Sequence, residues 1–252
     1  MKTKSKALLL TLCAVLLVAA SVLGTMAYLT STDTVTNTFT VGKVEIKLDE
    51  AKVNADGIPE EGAARVTANS YKLMPGTTYT KDPTVTVKAG SEESYVRMKV
   101  TFNNAKEIIA LCTDPEFADD GPTGVENAYP LIRMVKFVEA NAAKWDGIIP
   151  DNMVDTEDML GNAKYFAYDK TADTLTYYFY YNETVGAPDG DVKLPVLFNE
   201  IHIPEWATGT MLDAVKGFQI NVVAEAIQAD GFVDADGKPD AAKAWAAFAA
   251  QQ

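Results

Sequence analysis

The chain predicts a mainly β protein, an antiparallel β-sandwich with a few short helices. Three observations carry this. Six segments either alternate apolar and polar residues or are dense in β-branched and aromatic side chains, turn residues punctuate them, and only two segments show helical spacing. A strand that alternates buries one face and wets the other, which is the habit of antiparallel sheets packed in pairs.

Residues 1–27 precede that fold and read as an export signal. Lys2, Lys4 and Lys6 form a charged start, Ala7–Leu23 an apolar run, and Thr25-Met26-Ala27 a stretch ending in a small residue. Cleavage is expected between Ala27 and Tyr28. The apolar run has 17 residues, near the lower limit for crossing a bilayer, so a retained anchor is the alternative. After cleavage no stable membrane insertion is expected.

The remainder, 28–252, is expected to be the sandwich, opening with an arm over 28–41. The arm, "YLTSTDTVTNTFTV", is rich in threonine, lacks glycine and proline, and carries Leu29, Val35, Phe39 and Val41 as its apolar residues. "KVEIKL" follows, with Val44, Ile46 and Leu48 on one face. "ADGIPEEGA" (55–63) is a polar connection and "MPG" (74–76) a turn. "TVTVKA" points Val85 and Val87 inward, and "KAGSEES" (88–94) is a candidate hairpin turn. "YVRMKVTF" sets Val96, Met98, Val100 and Phe102 against Tyr95, Arg97, Lys99 and Thr101. Asn104–Cys112 has the spacing of a short amphipathic helix.

The stretch about 103–163 is a possible insertion with its own short strand, Leu131–Val138. "TLTYYFYY" (174–181) is a strand in which either Phe179, Tyr177 and Tyr181, or Tyr178 and Tyr180, pack inside. "VLFNEIHI" (196–203) and "FQINVVAEAI" (218–227) complete the strands. Phe218, Ile220, Val222, Ala224 and Ala226 share a face of the last. Pro239–Ala250 is helical, with Asp240 as its N-cap.

Charge narrows the partners. The chain holds 22 basic and 35 acidic residues, a formal net charge of −13. Residues 1–27 hold three of the lysines and no acid, so the processed chain would carry 19 basic against 35 acidic side chains, or −16. Such a surface repels nucleic acid and anionic membranes. Of two cysteines, Cys13 lies in the signal, so Cys112 is left alone and a disulfide within one processed chain is impossible. Free cysteines are mostly buried and inert, and Cys112 is expected to be so.

Catalytic patterns are missing. His202 is the single histidine, so neither a zinc-peptidase "HExxH" nor a second histidine ligand exists, and no "GxSxG" elbow occurs. The weak metal candidates are His202, beside Glu200, and the turn "DADGKPD" with Asp234, Asp236 and Asp240. That turn lacks the terminal glutamate of a calcium loop. Neither an enzyme nor a cofactor is expected, and the acidic turn reads better as a solvated loop capping the last helix.

Two stretches carry a family resemblance. "GTMAYLTSTDTVTNTFTVGKVEIKL" joins a signal end to an aromatic-led arm and a strand, and "YKLMPGTTYTKDPTVTVKAGSEESYVRMKV" follows it. Together they resemble the TasA/camelysin family, whose members carry a SipW-type signal peptide. The resemblance covers 1–102 and "GFQINVVAEAIQADGF" (217–232), not the middle of the chain. It implies a jelly-roll β-sandwich secreted by a Gram-positive bacterium to the extracellular matrix or cell surface, cut on export by a SipW-type signal peptidase. It further implies a biofilm matrix subunit that polymerises with copies of itself into fibres by donor-strand complementation, the freed arm adding as a strand to its neighbour; read from the residues alone, the arm can equally pair within its own sheet as the first strand. Two alternatives are a monomeric cell-surface binding module and, against the residues, a camelysin-like metalloendopeptidase.

Overall fold

Alternation along one long strand organises half the molecule. The computed structural model describes residues 43–116, 125–147, 160 and 162–251, all of them within one unit, Gly42–Gln252. The signal, the cleavage pair Ala27 and Tyr28, and the arm residues Leu29, Val35, Phe39 and Val41 lie outside the described residues. The described strands are β1 (Ile46–Asp49), β2 (Thr78–Thr80), β3 (Thr84–Val87), β4 (Ser91–Asn103), β5 (Val135–Phe137), β6 (Trp145–Asp146), β7 (Phe166–Asp169), β8 (Thr174–Tyr181), β9 (Val185–Ala187), β10 (Val192–Lys193), β11 (Phe198–His202) and β12 (Ile220–Gln228). The described α-helices are α1 (Ala105–Cys112), α2 (Gly209–Ala214) and α3 (Ala241–Ala249). The chain is therefore mainly β with short helices, and the strands pair antiparallel throughout.

β4 is the centre of the larger sheet. Its Val96, Met98, Val100 and Phe102 are buried, whereas Arg97, Lys99 and Thr101 on the other face are half-buried. β12 pairs along one edge of β4, from Ile220↔Phe102 to Gln228↔Ser94. β8 and then β9 pair along the other. β8 in turn carries β7 and β6 on its far edge. Within β8, Leu175, Tyr177 and Phe179 are buried, so the odd-numbered residues take the inner face. Tyr181 is half-buried and meets Trp145 edge-on, with ring centroids 5.3 Å apart.

Two prolines split what is otherwise one opposing sheet. β3 lies between β1 and β10, and β11 lies between β2 and β5. β2 and β3 are consecutive in sequence on either side of Pro83, and β10 and β11 on either side of Pro195. The Lys81 N–H donates to the Asn199 carbonyl (2.9 Å) and the Leu194 N–H to the Val85 carbonyl (2.9 Å). The two ladders are thus successive stretches of one pairing, interrupted where proline supplies no donor. Read as one sheet, the order is β1, β3 with β2, β10 with β11, then β5. Val85, Val87, Phe198 and Ile201 from this sheet join Val96, Met98, Phe102, Tyr177 and Phe179 from the larger one in a single hydrophobic cluster.

"KAGSEES" is not a hairpin. β3 is already paired on both edges, by β1 and β10, so no edge is open to β4. The turn instead carries the chain from the smaller sheet into the larger one. Asp191 holds it, accepting from the Ala89 N–H (2.9 Å) and pairing with Lys88.

The stretch about 103–163 is woven into the fold where it is described. α1 buries Ala105, Ile108, Leu111 and Cys112. Leu131–Val138 begins as a wide helical turn at Pro130–Met134 and becomes strand only at β5. That turn sends Leu131 and Met134 into the same core as Val135, which a strand from residue 131 would not do, because 131 and 134 would face opposite sides.

α3 packs on the opposite face of the larger sheet. Asp240 caps it, its carboxylate accepting from the Lys243 N–H. Ala244 is buried against Tyr95 and Ile227, with Trp245 and Phe248 alongside.

Candidate functional site

A groove runs between two strand edges. Among the described residues, β12 ends the larger sheet and β1 ends the smaller one; they lie side by side without pairing. Backbone direction along each follows from the bonds at its ends. The Asn103 N–H donates to Gln219 and the Ala229 N–H to Glu93. Backbone groups alternate sides along a strand, so odd-numbered residues of β12 face β4. Ile220, Val222, Ala224 and Ala226 therefore turn their N–H and C=O groups away, toward the free edge. On β1, the Lys88 N–H donates to Glu45 (2.8 Å), so Lys47 and Asp49 face β3 and the backbone groups of Ile46 and Leu48 face outward.

The groove has a volume of about 870 Å³. Leu48–Glu50 and Val66–Tyr71 form one wall and Lys216–Val222 the other. Leu73, Ile203, Leu212 and Phe218 give it an apolar lining, and Glu50 and Lys81 form an ion pair at 2.7 Å within it.

The segment Ala51–Leu73 forms its outer wall and is tied down by polar contacts. Arg65 bridges Asp49 (2.5 Å) and Asp82 (2.8 Å). It also donates to the Asp49 and Asp82 carbonyls and to the Thr84 hydroxyl. Burial raises the Asp49 pKa, but the hydrogen bonds and charges of Lys47 and Arg65 outweigh it and hold the carboxyl below its usual range. Val66 and Glu50 exchange backbone hydrogen bonds at 2.8 Å. Tyr71 donates to the Thr80 carbonyl (3.1 Å) and meets Tyr79 edge-on at 5.6 Å.

The metal candidates stand apart. His202 Nδ1 shares a hydrogen bond with the Thr78 hydroxyl (2.9 Å) across the β2–β11 pair. Asp234 accepts from the backbone N–H groups of Asp236 (2.9 Å) and Lys238 (2.8 Å). Asp240 accepts from Lys243. Among the described residues, no group of three or more histidine, cysteine or acidic side chains is arranged to hold a metal ion.

A second loop explains what Asp234 does. "VNADGIP" (53–59) and "VDADGKP" (233–239) share a pattern. In the first, Asn54 accepts from Asp56 N–H (3.0 Å) and Ile58 N–H (3.0 Å). Each loop closes with a backbone bridge, Val53↔Pro59 and Val233↔Pro239. Each turns on a glycine of positive φ, Gly57 at 76° and Gly237 at 78°. A neutral amide in one loop makes the hydrogen bonds of the carboxylate in the other, so Asp234 acts as a turn acceptor. Sequence inspection missed this pair, although the shared pattern is legible.

Cys112 is fully buried, and burial pushes its thiol up to about 12, with Arg133 offsetting only part of the shift. Among the described residues, no helix is long and apolar enough to cross a membrane. No protein-family model matches the chain, and neither a curated protein nor a solved structure matches it.

Proposed function

We propose that the chain is a secreted matrix protein that assembles with copies of itself by strand addition, the arm 28–41 of one subunit entering the groove of the next. The observation that carries this reading is the pair of strand edges left without a neighbour among the described residues. Outward-facing backbone groups on Ile220, Val222 and Leu48 border a groove that mixes apolar and polar side chains, the kind of surface that accepts an extended peptide through main-chain hydrogen bonds and side-chain pockets. The arm has the matching composition. Leu29, Val35, Phe39 and Val41 supply apolar side chains, and the threonines favour extended backbone. A head-to-tail contact of this kind does not close on itself, so it propagates as a filament.

The strand order supports a jelly-roll reading of the sandwich. In a jelly roll, two four-stranded sheets are wound from successive antiparallel pairs. Here β12, β4 and β8 lie side by side in one sheet, and β3, β10 and β5 follow in the other once the proline breaks are bridged. β1 pairs with β3 instead of closing against β12, and this leaves the groove. The TasA/camelysin resemblance, with its SipW-type signal peptidase and extracellular destination, belongs to the same proposal.

The test uses protein beginning at Tyr28, compared with protein lacking Tyr28–Thr36. Size-exclusion chromatography and electron microscopy are expected to show filaments from the first and monomers from the second. Filaments from both, or a first sample that stays monomeric at high concentration, would reject the arm's role.

A further inference from the structure

Buried Glu50 and half-buried Asn69 and Lys81 form a triad on the groove wall that strand addition does not explain. Glu50 is 5% exposed. Its Oε2 takes the Lys81 ammonium at 2.7 Å and its Oε1 takes the Asn69 amide Nδ2 at 2.9 Å. One carboxylate thus holds an amine and a carboxamide on its two oxygens. The Asn69 amide is oriented by its other partners. Nδ2 also donates to the Ala51 carbonyl (2.8 Å), and Oδ1 accepts from the Val53 N–H (3.0 Å). Swapping N and O would face donor against donor and acceptor against acceptor.

We propose that this triad closes an intramolecular isopeptide bond between Lys81 and Asn69, with Glu50 as proton shuttle. Glu50 takes a proton from the Lys81 ammonium through Oε2. The freed Nζ attacks Cγ of Asn69 and forms the Nζ–Cγ bond. Charge developing on Oδ1 meets the Val53 N–H, a backbone donor already aimed at that oxygen. Glu50 then relays a proton from Nζ to Nδ2 through Oε1, and the Cγ–Nδ2 bond breaks. A lysine ammonium and a carboxamide become a secondary amide and an ammonium ion. Nothing is oxidised or reduced, and no co-reactant is required.

Preorganisation strengthens the case. Arg65 grips the carbonyls of Asp49 and Asp82, the residues adjoining Glu50 and Lys81, and the Ala51 N–H donates to Asp82 (2.6 Å). The backbone around the base and around the nucleophile is therefore held by one guanidinium, as close positioning of reactants requires. Tyr71 and Tyr79 wall the site. The bond would staple the outer wall of the groove to the end of β2, in a chain whose described cysteine has no disulfide partner. It stands whether or not the groove accepts a strand.

The test is peptide mapping by mass spectrometry of the purified, denatured protein. The expected result is a branched peptide joining the Asn69 and Lys81 segments, lighter by one ammonia than the two together. In Glu50→Gln and Lys81→Arg the branched peptide disappears and the missing ammonia returns. Linear peptides with intact Asn69 and Lys81 in the unmutated protein would overturn the proposal. So would ammonia loss at Asn69 with Lys81 free, the mark of a succinimide. Both readouts come from the unmutated chain, so a variant that fails to fold leaves the answer intact.

Discussion

At the scale of single residues, side chains that look chemical in the sequence are committed to structure. Asp234 closes a turn that Asn54 closes equally well in its counterpart loop. Asp234→Asn is therefore expected to leave the unfolding free energy within about 0.5 kcal/mol of the original, the usual range for a surface change that removes no contact, as read from denaturant unfolding. Calcium should stabilise neither form, and a calcium-dependent rise in melting temperature that Asp234→Asn abolishes would contradict this. Cys112, buried and with its thiol pushed up to about 12, should resist iodoacetamide at neutral pH in the folded protein and react on unfolding; labelling stoichiometry checks it. Phe179, at the centre of the inner face of β8, should cost about 3–5 kcal/mol when replaced by alanine, read from denaturant unfolding.

At the scale of elements, α3 and β12 behave differently from the core they touch. α3 rests on a small apolar cluster and on Arg97. The Arg97 guanidinium lies 4.4 Å from the Trp245 ring and 5.4 Å from Phe248, and pairs with Glu225 at 2.6 Å. Arg97→Lys keeps the charge but loses the flat stacking surface, so α3 should loosen by about 0.5–2 kcal/mol, seen as faster amide exchange over 241–249.

Its cap also titrates. The Lys243 N–H holds the Asp240 carboxyl below its usual 3.8, helped by the Lys243 charge. The folded value is the lower one. The cap's contribution is thus complete above the usual value and is lost as pH falls through the folded value. Trp245 fluorescence should stay constant down to about the ordinary aspartate range and change only below it; a transition near neutrality would disprove the link. On β12, Val222 turns its N–H away from β4, so Val222→Pro removes a donor the sheet does not use. The variant should fold, by circular dichroism, yet form no filaments.

At the scale of the whole molecule, antiparallel sheets with two neighbouring edges left unpaired among the described residues must protect them or use them. A net charge of −16 on protein beginning at Tyr28 keeps copies apart by repulsion, so any self-assembly has to be local and directional. Filament formation by protein beginning at Tyr28 should accordingly speed up as salt screens that repulsion. Light scattering against ionic strength measures it, and faster assembly at low salt would point to a charge-driven contact instead.

Strand content was legible in the chain wherever a face alternates. "TLTYYFYY" coincides with β8, and "YVRMKVTF" lies within β4, because burial on one side only writes a period of two into the residues. The helices α1 and α3 were legible for a similarly local reason, the spacing of their apolar residues, and Asp240 marked the start of α3, where its carboxylate caps the helix. Which strands pair was not. The turn at Lys88–Gly90 has hairpin composition, yet it changes sheets, since β1 and β10 had already taken both edges of β3. The strand edges and the meeting of Glu50, Asn69 and Lys81 depend on residues distant in sequence, whereas the loops closing on Asn54 and Asp234 are local and legible in their shared pattern. Composition and periodicity are local properties and determined the elements. Edges, grooves and clustered side chains depend on which elements become neighbours, and only tertiary packing decided that.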